Sequence, residues 1–267
     1  MISRDRGDAA LREALHAEWT KLRTLASTSW LLLSTALLTV GVSAAVVAAS
    51  SYQPFGYQDT PKLSLTGIDA GQAVLSILAV LVMSNEYSTG MIRTTFTAMP
   101  RRVVVLAAKA TLLTGAAVAG GIVAVGGCLL AGRLILPSKG FTVAHGYPLL
   151  SLAHGATLRA AGGSVLYLVL ISLFSLGVTT AIRDSATAIG VVLGLLYLFP
   201  LLAQVVTDPA WHRHLEQIGP MTAGLAIQAT TELHNLPISP WAGLGVLALW
   251  AGAALATGGI LLRLRDA

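Results

Sequence analysis

The side chains able to do chemistry in this 267-residue chain are few and scattered. His212, His214 and Glu216 lie close together, and imidazole with carboxylate is a donor set that zinc accepts. Their alternating spacing suits a strand, but in a polar loop such histidines are more often solvated than metal-bound. No HExxH occurs, so the helix-borne ligands of a membrane zinc protease are missing. The single cysteine, Cys128, sits in an apolar run and can form neither an intrachain disulfide nor a cysteine-based metal site. Ser172 and Ser175 lie in another apolar run, where a hydroxyl bonds a preceding carbonyl or a neighbouring helix more often than it acts as a nucleophile. None of the four lysines completes a GxxxxGK[ST] loop, so this chain does not cradle ATP by that device. The reading is of a protein that is not an enzyme, with no catalytic residues, no metal and no cofactor of its own.

One stretch has patterned charge: Asn85 to Arg102, NEYSTGMIRTTFTAMPRR. Ile92, Phe96 and Met99 recur at i, i+4 and i+7, one face of a helix, while Arg93 and Thr97 fall on another. Glu86 near its start and Arg101 and Arg102 past its end suit a helix macrodipole, and Pro100 stops the helix because it has no N–H. A short amphipathic helix between two apolar runs lies flat on the membrane or against a partner docked there. The plainer alternative is a connecting loop whose arginines only set topology.

The elements that must position this stretch are apolar. The chain is 55% hydrophobic and 11% charged, with a mean hydropathy of +0.74, against about 25% charged in soluble domains. Repeated apolar runs of about 20 residues place it in a bilayer. Residues 1–28 read as an N-terminal amphipathic helix, with Leu11, Leu15, Trp19 and Leu22 on one face and Arg12, Glu18 and Lys21 between them. They lack the early apolar core of a secretory signal. Residues 29–267 form an all-α, polytopic domain of six transmembrane helices, at about 30–49, 67–84, 103–130, 163–182, 186–206 and 241–262. Asp69 and Gln72 fall near the outer end of the second span. Lys109 falls near the inner end of the third, where its stem can snorkel to the interface. The middle of the last connecting segment, Met221 to Thr231, is apolar enough for a short helix that dips into the interface.

Charge sets the orientation. With both termini cytoplasmic, Arg4, Arg6, Arg12, Lys21, Arg23, Arg93, Arg101, Arg102, Lys109, Arg183, Arg263 and Arg265 lie inside, and Lys62, Arg133, Lys139, Arg159 and Arg213 outside. That asymmetry gives N-in, C-in by the positive-inside rule. It also explains the net charge of +5 without a nucleic-acid partner. Gly190-Val-Val-Leu-Gly194 is a GxxxG, which lets helices approach closely, within one subunit or between two. Charge is nearly absent from the middle of the spans, unlike an ion-coupled carrier.

Three patches carry a resemblance. Glu18-Trp-Thr-Lys-Leu-Arg-Thr24, before the first span, is similar to the opening of permease subunits of the type-2 ABC exporter class, especially actinobacterial ones. Asn85-Glu-Tyr-Ser-Thr-Gly-Met-Ile-Arg-Thr-Thr95, with Pro100-Arg-Arg102 and Ala107-Ala-Lys-Ala110, resembles the link between spans two and three in that family. Ile182-Arg-Asp-Ser-Ala-Thr-Ala-Ile-Gly190 resembles the link between spans four and five. The resemblance implies a multi-pass permease of the cell membrane, a dimer of two six-span halves, identical or not, with a separate ATP-binding cassette subunit under each. It further implies that Glu86 to Met99 is the coupling helix that sits in a cleft of the ATPase. Arg93 and Thr94 would face that partner, Ile92, Phe96 and Met99 would grip the permease, and Glu86, Arg101 and Arg102 would fix the helix ends. ATP would be bound and hydrolysed on the partner subunit. Segment 207–240 matches nothing in that family, so no substrate follows. A membrane scaffold or sensor subunit of the same fold is the alternative, and an intramembrane enzyme using the outer histidines a more distant one.

Overall fold

The computed structural model describes residues 15–16, 18–20, 26–53, 57–88, 90–91 and 102–264. Among these the protein is all-helical, without strands. The longer helices are α1 (Ala26–Ala49), α3 (Ile68–Ser88), α4 (Arg102–Ile135), α5 (Gly155–Ile182), α6 (Ser185–Val205) and α9 (Pro240–Leu264), with short helices α2 (Thr60–Leu65), α7 (Pro209–Ile218) and α8 (Pro220–Leu225) between them. Six helices are long and apolar enough to cross a membrane, α2 and α3 counting as one. The chain is therefore a candidate multi-pass membrane protein. The third span is longer than expected, because α4 continues to Ile135 and a 3-10 turn at Leu136–Lys139 extends it.

The central helix is α5, packed against α9, α4 and α3 and buried over most of its length. Its Ser172, Ser175, Thr179 and Thr180 hydroxyls each donate to a carbonyl three or four residues earlier, at 2.7–2.8 Å. Buried in an apolar bundle, they are thus satisfied without a partner helix. Its crossing with α9 uses glycines: a Cβ on Gly177 would lie 2.5 Å from the α9 backbone at Ala254 and Leu255, and one on Gly258 would lie 2.7 Å from the Gly177 carbonyl oxygen. Side chains are absent where the two backbones touch, as close packing in lipid requires.

The two ends of the bundle differ. One end gathers Glu18, the last turn of α3, the start of α4, the Arg183–Asp184 turn and the last turn of α9. The other gathers the three longer connections. There Asp59 caps α2 and also ties down the last connection: its carboxylate accepts from the Lys62 N–H (3.1 Å), the Thr230 N–H and hydroxyl, and the Thr231 N–H and hydroxyl. Tyr52, Phe141 and Tyr147 pack edge to face beside it.

Segment 207–240 is a helical hairpin. Asp208 caps α7 by accepting from the Ala210 and Trp211 N–H groups, so His212, His214 and Glu216 lie on a helix rather than a strand, and His212 faces Glu216 at i, i+4. The Trp250 indole N–H donates to the Ile218 carbonyl at 2.9 Å. Trp250 is about 15 Å along α9 from its start at 1.5 Å per residue, so the hairpin turn reaches well along the length of the bundle while Ile218 itself stays exposed. Then α8 is buried at Pro220, Met221, Ala223 and Gly224, and the dip expected from the sequence is packed against α6 and α9. Gln72, fully buried on α3, donates to the Met221 sulfur (3.1 Å) and the Asp69 carbonyl (3.1 Å) and accepts from the Tyr167 hydroxyl.

Candidate functional site

The site begins with Lys109. On α4 it shares a buried stripe with Val105 and Leu113, one turn to either side, so its side chain points into the bundle. The ammonium donates to Glu18 Oε2 at 2.7 Å and to Glu86 Oε1 at 2.8 Å, with the Val82 carbonyl at 3.4 Å. The lysine side chain is 1% exposed and each glutamate 6%. This corrects the expectation that Lys109 snorkels: the partner carboxylates come to it, and a paired, hydrogen-bonded ammonium has no need to reach solvent.

Each member is delivered by a different element. Glu86 is in the last turn of α3, which runs on to Ser88 and is followed by Gly90 at φ 69. The left-handed backbone there is favourable for glycine and ends the helix. Glu86 is therefore not at the start of a separate helix, as the macrodipole pattern suggested, but at the end of the preceding span, and its carboxylate is held by a cation instead. Glu18 comes from the N-terminal segment, where Leu15, His16 and Glu18–Thr20 are helical. Trp19 is 54% exposed while Glu18 is buried, so Glu18 belongs to the packed face rather than the polar one.

Two arginines extend the cluster. Arg102, the first residue of α4, donates to the Leu262 carbonyl at 3.0 Å. Arg183 donates to the Leu261 carbonyl at 3.4 Å and lies over the Tyr87 ring, 5.6 Å from its centre. Both cations meet carbonyls in the last described turn of α9, where the helix dipole favours positive charge. Arg183 itself turns the chain between α5 and α6 at φ 66, and Asp184 caps α6 by accepting from the Thr187 N–H at 2.8 Å.

The anchors on both sides of segment 89–101 are thus set in one place. Glu86 and Tyr87 hold its entry, Arg102 and Lys109 its exit. Ile92, Arg93, Thr94, Phe96, Met99 and Arg101 lie outside the described residues. No family model matches this chain, and no curated protein matches it. Gly190 and Gly194 are on an outward face of α6, and a Cβ at either would meet nothing within 4 Å. Their GxxxG does not pack within the subunit.

The sequence reading missed Glu18, Lys109 and Tyr87. For Lys109 a signal existed, the apolar residues at i−4 and i+4 that share its face. For Glu18 and Tyr87 there was none, since a glutamate between stripe residues and a tyrosine at a span end are ordinary in their positions. At the other end, His212 Nδ1 lies 2.7 Å from the Ala203 carbonyl and Nε2 3.5 Å from Glu216. Among the described residues no three His, Cys, Asp or Glu gather as a metal site.

Proposed function

We propose that this chain is the membrane-spanning permease subunit of an ABC transporter of the type-2 exporter class, inserted in the cell membrane with both termini inside. Segment 89–101 couples it to a separate ATP-binding subunit, and a second permease subunit completes the path. The single observation that carries this is the meeting of Glu18, Glu86 and Lys109. They belong to three separate stretches of the patches that resemble the family, far apart in sequence, and they form one buried charge cluster at the roots of segment 89–101. The orientation rests on the cation asymmetry, since that end also holds Arg102, Arg183 and Arg263.

In mechanical terms, the ATP-binding subunit pushes on segment 89–101. The push is felt at Glu86 and Lys109, and through them at α3, α4 and the N-terminal helix together, because one ammonium holds all three. Arg102 carries it to α9. Elements tied this way move as a rigid group between two arrangements, which is how a small displacement at the surface becomes a change in the membrane. Arg93 and Thr94 face the ATP-binding subunit.

The test is Arg93→Glu, with Arg133→Glu at the opposite end as control. Losing one member of a desolvated charge pair costs about 2–5 kcal/mol. The Arg93 variant is expected to insert and fold normally, to recover less ATP-binding subunit on pull-down, and to uncouple ATP turnover from transport in reconstituted vesicles. Equal recovery and transport for both variants would remove the coupling assignment.

A further inference from the structure

At the end of the bundle away from the charge cluster, segments 57–62 and 229–236 face each other across a cleft of about 220 Å³, its lining including Tyr57, Asp59, Lys62, Glu232, Asn235 and Leu236. That is room for about seven waters at roughly 30 Å³ each. The walls are fixed. Both Asp59 oxygens are taken up by donors from Lys62, Thr230 and Thr231, and Arg159 donates to the Ala229 carbonyl at 2.6 Å. Glu232 has φ 48 and ψ 41, a left-handed conformation uncommon for a residue with a side chain and one that often marks a functional constraint. Tyr57 is 63% exposed, yet its ring is stacked on the buried Tyr147 ring with centres 5.4 Å apart.

The charges of this cleft are opposite and separate. Lys62 has no carboxylate within ion-pair distance among the described residues, and Glu232 has no cation; its carboxylate accepts only the Asn235 amide, at 3.2 Å. Asp59 keeps its charge but its oxygens are filled by neutral N–H and hydroxyl donors, so Lys62 and Glu232 are the cation and the anion left open to a ligand on the walls of a small cavity beside an aromatic ring. We propose that this cleft binds a compact zwitterion, its anionic group at Lys62, its ammonium at Glu232, and its body against Tyr57 and Leu236. A phosphoethanolamine group has that chemistry and size, either as a free small molecule or as the headgroup of a lipid in the adjoining leaflet. The cleft and the inner charge cluster lie at opposite ends of the bundle, so neither assignment depends on the other.

The experiment titrates the full chain in detergent with phosphoethanolamine, inorganic phosphate and ethanolamine by calorimetry. In parallel, native mass spectrometry follows lipid retained from nanodiscs of phosphatidylethanolamine or phosphatidylglycerol. Phosphoethanolamine is expected to bind at least tenfold more tightly than either half, and Lys62→Ala and Glu232→Ala are each expected to weaken it tenfold or more. Retention of phosphatidylethanolamine alone, lost in both variants, supports the same site with a lipid as its source. Ethanolamine binding as well as phosphoethanolamine overturns the proposal, as does unchanged binding in both variants, or no selective binding in either arm. The comparison of three probes on the unsubstituted protein decides the matter even where a variant fails to fold.

Discussion

Lys109 gathers two carboxylates in a place with almost no water, and the energetic consequence is asymmetric. Removing one partner of a buried ion pair leaves charge without compensation, at about 3–5 kcal/mol, whereas replacing all members by apolar or neutral groups is often close to neutral. Lys109→Met is therefore expected to lower the thermal midpoint of the detergent-solubilised protein far more than the combined Glu18→Gln, Lys109→Met, Glu86→Gln variant does. If the triple variant is less stable than the single one, the three side chains are not one electrostatic unit. Asp184 makes a smaller contribution of opposite exposure. Its hydrogen bonds to Thr187 hold the carboxyl below its ordinary value of 3.8. A lowered folded pKa means that the stabilisation is complete above 3.8 and is lost as pH falls below it. Asp184→Ala should remove that part of the acid sensitivity while leaving the rest of the profile in place, measured as thermal midpoint against pH.

Helices here approach at glycines, but not at the pair that the GxxxG pattern singles out. One tight crossing is between α5 and α9, where Gly177 and Gly258 bring the two backbones together. Gly177→Ala places a methyl 2.5 Å from the α9 backbone, and overpacking of this kind typically costs about 1–3 kcal/mol. A drop in monodisperse protein on size exclusion is the expected result. Gly190→Leu and Gly194→Leu point into open space and should leave the folded subunit unchanged. Under the proposed dimer they would act only between subunits, so a cross-linking assay that detects dimer in the parent chain and not in these variants locates the seam on α6. Loss of the fold in either leucine variant would contradict the outward placement of that face.

For the whole molecule the question is which end of the bundle faces the cytoplasm. Cys128 is fully buried, with its sulfur 3.6 Å from the Thr39 carbonyl, so Cys128→Ala provides a quiet background for accessibility scanning. Single cysteines beside Lys139 and Arg213 should be labelled from outside the cell, and one beside Arg93 only after permeabilisation. Outside labelling at Arg93 would invert the layout and with it the proposed site for an ATP-binding subunit. The hairpin of α7 and α8 would then face inward, where it would compete for the same role.

Residue types and spacing alone were enough for the class of molecule and for most of its elements. Apolar runs of membrane length make six spans legible without any knowledge of contacts, since each helix satisfies its own backbone. Ser172 and Ser175 of α5 behave as their type predicts, bonding to their own helix. Helix ends were less legible: α5 begins at Gly155 rather than near 163, and α4 overruns its expected end, because local hydropathy says where a chain can enter lipid and not where a helix stops. What only the tertiary structure decided is which polar residues matter to one another. Glu18, Glu86 and Lys109 are separated by 23 and 91 positions, and a buried ion pair depends on distances that arise only when α3, α4 and the N-terminal segment pack. The same holds for Asp59, whose partners at Thr230 and Thr231 are more than 170 residues away, and for Gly177 and Gly258, which look like any other glycines until two helices cross there. Pattern along the chain reports the solvent of each segment; partners are a property of the packed bundle.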